Sequence, residues 1–146
     1  MTLPSHLIVG LIIGKVTGNY PFAITSSVLV DIDHLQSYLK SGVISKPKLF
    51  WKTITDQSDP YGDQRGYLHN FIVFIILSTI LLMVFGYALF PLVLGWLGHL
   101  FLDALDNSDY WPLYPYKLIN FKGPILYASF QEIIFSSILL VIYFFI

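Results

Sequence analysis

The chain contains no cysteine. That absence excludes a disulfide framework, a thiolate zinc finger and a cysteine nucleophile together. Charge is also scarce. Charged residues are 12% of the 146 and sum to a net charge of −1, a balance that argues against nucleic acid as a partner, since such binding rests on clustered Lys and Arg. No serine stands in a nucleophile-elbow motif, and no phosphate-binding glycine loop is present. Internal repeats and low-complexity stretches are absent as well. What is abundant is apolar: 55% of residues, with a mean hydropathy of +0.69. Neither a disordered chain nor an ordinary soluble domain has that composition. The length suits one domain over residues 1–146, and the chemistry points to an integral membrane protein.

Between Arg65 and Asp103 there is no charged residue. A run of that length is too long for one membrane span and suits two of roughly 20 residues each. Pro91, preceded by Gly86 and Tyr87, marks the break, which predicts helices over 66–86 and 90–105. A further helix is expected over 125–146, interrupted in polarity only by Glu132. Residues 7–14 form a short apolar helix closed by Lys15 and Gly18, and residues 21–40 form another that opens on Pro21. No positive segment precedes residue 7, so this start does not read as a signal peptide. The expectation is an all-α membrane bundle of about five helices, with 40–66 as its longest loop.

Basic residues in loops set orientation. With a cytoplasmic N-terminus, the loops 40–65 and 107–124 lie inside and hold seven of the eight Lys and Arg; only Lys15 falls outside them. Alternating helix directions then bring His6, Asp31, Asp33, His34, His69, His99, Asp103 and Glu132 toward that same side. Carboxylates near bilayer depth cost roughly 2.5–3.5 kcal/mol each unless partnered. A divalent metal is the simplest partner for several acids and neutral imidazoles at once. His99 and Asp103, four residues apart, share a helix face in good geometry for zinc, and Asp31 and His34, three apart, can do likewise. Asp33 then points elsewhere, to bridge a second ion or orient a ligand. The aromatics Trp96, Tyr110, Trp111, Tyr114 and Tyr116 read as interfacial anchors.

The order of motifs is distinctive: His6 in PSHLIVG, VDIDH at 30–34, QRGYLHN at 64–70, GWLGHLFLD at 95–103, WPLYP at 111–115 and Glu132 in the last helix. In this order and over nearly the whole length, the chain resembles the YdjM-type family of inner-membrane, metal-dependent hydrolases, a family similar in turn to zinc-dependent phospholipase C. The resemblance implies a metal site of one to three ions, zinc first among them, held by Asp31, Asp33, His34, His69, His99 and Asp103 with His6. The sequence departs from the family pattern at Gln64, where a histidine is usual, and at Leu68, where a threonine is usual. A carboxamide is a poor zinc ligand, so Gln64 stands outside the ligand set, or the metal count is reduced, or activity is lost.

The activity this implies is hydrolysis of a lipid phosphoester or phosphodiester at the inner leaflet. Asp33 or Glu132 would serve as base, and Arg65 at the membrane surface would meet the phosphate. Two other classes use the same residue types: a proton or metal transporter, and a non-catalytic bundle tied together by metal. Five short helices without an inverted repeat speak against the transporter.

Overall fold

The computed structural model describes residues 1–56 and 65–146. Gln64 lies outside the described residues. Among the described residues every regular element is helical: α1 (Leu3–Thr17), α2 (Tyr20–Leu29), α3 (Ile32–Lys40), α4 (Pro47–Ile54), α5 (Phe71–Phe85), α6 (Phe90–Leu105) and α7 (Phe130–Phe145), with short 3-10 turns at Tyr67–His69 and Gly86–Leu89. Each of the five expected helices is present. The second is broken at Asp31 into α2 and α3, and α4 is an addition inside the expected loop.

Local chemistry explains the boundaries. Pro4, Pro21, Pro47 and Pro91 each stand in a first turn, where a missing N–H costs nothing. Asn19 caps α2, and Asn70 caps α5 by accepting from the amides of Ile72 and Val73 at 2.7 and 3.0 Å. This cap starts α5 at Phe71 rather than 66. The last helix also begins later than expected, at Phe130 with Ser129 as its cap. Ile125 is instead drawn into backbone pairing with Leu105 and Asn107. Gly18 ends α1 in the left-handed conformation, φ 72°, which glycine tolerates without strain.

From Phe71 to Leu105 the helical run is the one stretch, among the described residues, long and apolar enough to cross a membrane, with a mean hydropathy of 2.6. A straight helix would carry Trp96 about 33 Å from Phe74. Their ring centroids are 5.3 Å apart, so the chain reverses at Gly86–Leu89 and α5 and α6 form a hairpin. The outward faces of α5 and α7 stay apolar and uncovered, with Ile76, Ile80, Met83, Ile133 and Ile138 all exposed. Water would not tolerate apolar surface so continuous.

The centre of the bundle is packed through small residues. A Cβ at Gly95 would collide with Ser26 and the Ala23 carbonyl of α2, one at Gly10 would meet Ser27, and one at Gly98 would press on Val9 and Ile13 of α1. α1, α2 and α6 therefore approach closely, as small residues permit. α7 runs parallel to α1: Ser5 bonds Ser136 at one end, and Lys15 reaches the Tyr143 carbonyl at the other.

Candidate metal centre

All four histidines gather at one end of this bundle. His99 rises from α6 beside α2, and its Nδ1–H donates to the Ser27 carbonyl at 2.7 Å. His69 sits on the turn before α5 and donates through Nδ1 to Asp33 Oδ2 at 3.2 Å. Fixing one ring nitrogen turns the other, Nε2, inward, where it can give its lone pair to a metal once deprotonated. The two Nε2 atoms lie 3.2 Å apart. Asp103, one turn along α6, places Oδ2 at 3.2 Å from His69 Nε2 and 3.5 Å from His99 Nε2. Zinc held tetrahedrally at about 2.1 Å sets its donors about 3.4 Å apart. The donor separations of His69, His99 and Asp103 match that spacing.

The break at Asp31 brings a second carboxylate to the same place. Asp31 Oδ1 lies 3.3 Å from His34 Nε2, 3.5 Å from His99 Nε2 and 3.8 Å from His69 Nε2. His6 stacks on His99, centroids 3.8 Å apart, and its Nδ1 is buried without a hydrogen-bond partner. Three overlapping groups each offer donor atoms within 4.8 Å of one another: His69, His99 and Asp103; Asp31, His34 and His69; His6, Asp31 and His99. Each could hold a metal ion. The donors are imidazole nitrogens and carboxylate oxygens, which suit zinc and its first-row neighbours.

At His69 the electrostatics favour positive charge. Burial alone would make His69 less basic, but its bonds to Asp103, Asp31 and Asp33 outweigh that and push its pKa up to about 10. Burial raises Asp31 and Asp33 too. Bonds from His34 and His69 reverse this and hold Asp31 well below the usual carboxylate range, and bonds from His69 and the backbone lower Asp33. A site that stabilises protons this strongly also stabilises a cation that replaces them.

A family model for the YdjM inner membrane protein matches residues 1–146. The chain belongs to the YdjM inner membrane protein family. No curated protein and no solved structure matches it. In this YdjM-family chain, then, His6, Asp31, His34, His69, His99 and Asp103 come together, while three residues expected to act with them stand differently. Asp33 is in none of the three groups. Its Oδ2 accepts from the Leu68 amide at 2.7 Å as well as from His69, so it holds the ring from behind.

Glu132 also falls outside the groups. One of its oxygens accepts from Thr2 N, Thr2 Oγ1 and Ser5 Oγ at 2.6 to 2.7 Å, and the other from Ala128 N at 2.8 Å. Four donors thus tie its carboxylate to the start of α1 and to the turn before α7. Arg65, expected at the membrane surface, is nearly buried. Nε faces Asp103 Oδ2 at 3.0 Å, Nη2 donates to Asp103 Oδ1 at 3.2 Å, and Nη1 donates to the Asp109 carbonyl. The physical reason is the neighbouring acids: buried carboxylates require a cation, and two converge here.

The second of those acids is Asp106, which follows the last residue of α6. It is fully buried, with Oδ2 at 2.5 Å from the Met1 ammonium and 3.6 Å from Arg65 Nη2. Asp103 Oδ1 meets the same ammonium at 2.9 Å. Trp96 and Tyr110, expected as interfacial anchors, are buried instead; their N–H and O–H donate to the carbonyls of Leu68 and His69, pinning the turn that carries His69. A cavity of about 530 Å³ reaches the cluster on the side of Asp31, His34 and Arg65. Asp31 and His34 are the partly exposed members, so access runs past them.

Proposed function

We propose that this protein is a membrane-embedded, metal-dependent hydrolase acting on a phosphoester or phosphodiester of a lipid at the cytoplasmic leaflet. In this reading it is a multi-pass protein of the inner membrane with its N-terminus inside. The observation that carries the proposal is the convergence of His69, His99 and Asp103 at zinc-like donor spacing, with Asp31, His34 and His6 around them. Bound there, a divalent ion, zinc first among candidates, supplies Lewis acidity and a water acidic enough to ionise near neutral pH.

The chain's own residues do the remaining work. Asp33 and the Ser27 carbonyl orient the two histidines. Arg65 neutralises Asp103 and Asp106 and keeps the Asp103 carboxylate turned toward the donors. Asp31 and His34 line the cavity through which an ester would arrive and would meet it first. Asp33 and Glu132 are already committed to other donors.

The test is elemental analysis of the purified protein together with hydrolysis of generic phosphodiesters and of phospholipids, with and without chelator. Bound metal with chelator-sensitive turnover is expected. Metal without turnover of any phosphoester would reduce the centre to a structural tie.

A further inference from the structure

The cavity beside the cluster is larger than a water path needs to be, and most of its wall is apolar. Tyr38 of α3, Phe50, Trp51 and Ile54 of α4, Tyr127 and Leu3 enclose it, Asp31, His34 and Arg65 form a polar end, and Asp56 and Asp109 also reach the wall. Its volume of about 530 Å³ falls in the range of small-molecule sites, which pair apolar walls with a few converging polar groups. The wall made by α4 is fixed, because the Tyr127 hydroxyl donates to the Ile54 carbonyl at 2.6 Å.

The outside of α4 carries its own signal. Lys46, Lys48 and Lys52 are exposed, and Trp51, which also lines the cavity, is 68% exposed. Lysines attract anionic headgroups, and tryptophan favours the headgroup level. The cavity thus joins a basic, tryptophan-bearing helix to the acid–histidine cluster.

We infer that the cavity is the tail-binding site for an anionic amphiphile, a long-chain phosphate ester whose chain lies against Tyr38, Phe50, Trp51 and Ile54 with its phosphate turned to the cluster. This rests on the metal-dependent reading for the phosphate end, but not for the tail end. Trp51, at once exposed and on the cavity wall, marks the entrance, and the exposed lysines of the same helix favour an anionic ligand arriving from the lipid leaflet.

Binding of butyl, hexyl and decyl phosphate to the metal-loaded protein in nanodiscs, read by stopped flow before turnover, tests this, with inorganic phosphate as the tail-free probe and decanol as the phosphate-free one. Thr53→Phe fills the cavity from α4, and Trp51→Ala removes part of its wall. Decyl phosphate is expected to bind the wild type roughly tenfold more tightly than Thr53→Phe, the equivalent of about two buried methylenes. The gap should close for butyl phosphate and vanish for inorganic phosphate, and Trp51→Ala should shift decyl phosphate in the same direction. Equal weakening of inorganic and decyl phosphate, or decanol binding untouched by both substitutions, overturns the tail site. Decanol binding needs no metal. A metal-free protein that still distinguishes decanol between wild type and Thr53→Phe therefore keeps the tail site even where the hydrolase test finds no metal or no turnover.

Discussion

His69 and His99 each have one ring nitrogen anchored, on Asp33 and on the Ser27 carbonyl, and the other turned inward. Replacing His99 or Asp103 by Ala removes a donor and is expected to bring metal content to background, as read by elemental analysis. Asp33→Asn keeps a hydrogen-bond acceptor behind His69 but loses the charge. Metal affinity should fall about 10- to 100-fold in a competition titration, with full stoichiometry recovered at saturating metal. A direct ligand would not recover. The His99–Asp103 pair was legible in the sequence because spacing on a helix fixes a shared face. Asp106, three residues past Asp103, carries the same spacing signal, but its turn-forming neighbours Asn107, Ser108 and Asp109 mask it. The Ser27 carbonyl could not be read at all, since a backbone acceptor leaves no mark in side-chain chemistry. Trp96 and Tyr110 were misread because an aromatic with a polar tip suits an interface and a buried hydrogen bond equally well.

Among the helices, α1 and α7 are joined at their starts by Glu132, which accepts from both the Thr2 amide and the Ala128 amide. Glu132→Ala would strand these buried donors, and a loss of about 2–3 kcal/mol is expected in chemical denaturation. Metal affinity should stay at the wild-type value, because the carboxylate contacts none of the cluster. A collapse of metal binding without loss of stability would return Glu132 to the site. Helix existence was readable from apolar runs and prolines, whereas boundaries followed caps and tertiary pairing. Asn70 shortens α5 and the pairing of Ile125 delays α7. The break at Asp31 had no proline or glycine to announce it, yet it is what turns Asp31 toward three histidines. α4 lay unseen in the 40–66 loop, its eight residues too few to show a convincing period.

For the molecule as a whole, the loops after α3 and after α6 meet at the end that holds the cluster: Tyr127 bonds Ile54, and Arg65 bonds the Asp109 carbonyl. The absence of cysteine makes every introduced thiol unique. Lys46→Cys and Lys117→Cys should both be labelled by a membrane-impermeant reagent only from the cytoplasmic side. Tyr87→Cys, in the turn between α5 and α6, should be labelled only from the opposite side. Labelling of Lys46→Cys and Lys117→Cys from different faces would break the topology proposed here.

The four apolar helices α1, α5, α6 and α7 have 15, 15, 16 and 16 residues. At 1.5 Å per residue each is about 23 Å long, several ångströms less than a typical hydrocarbon thickness of about 30 Å. In the multi-pass reading proposed above, such a mismatch is relieved by thinning of the surrounding lipid. The protein should accordingly unfold at a higher temperature in nanodiscs of short-chain lipid than of long-chain lipid. In a thicker bilayer, the leaflet would dip around the bundle and carry its headgroups down toward the histidines.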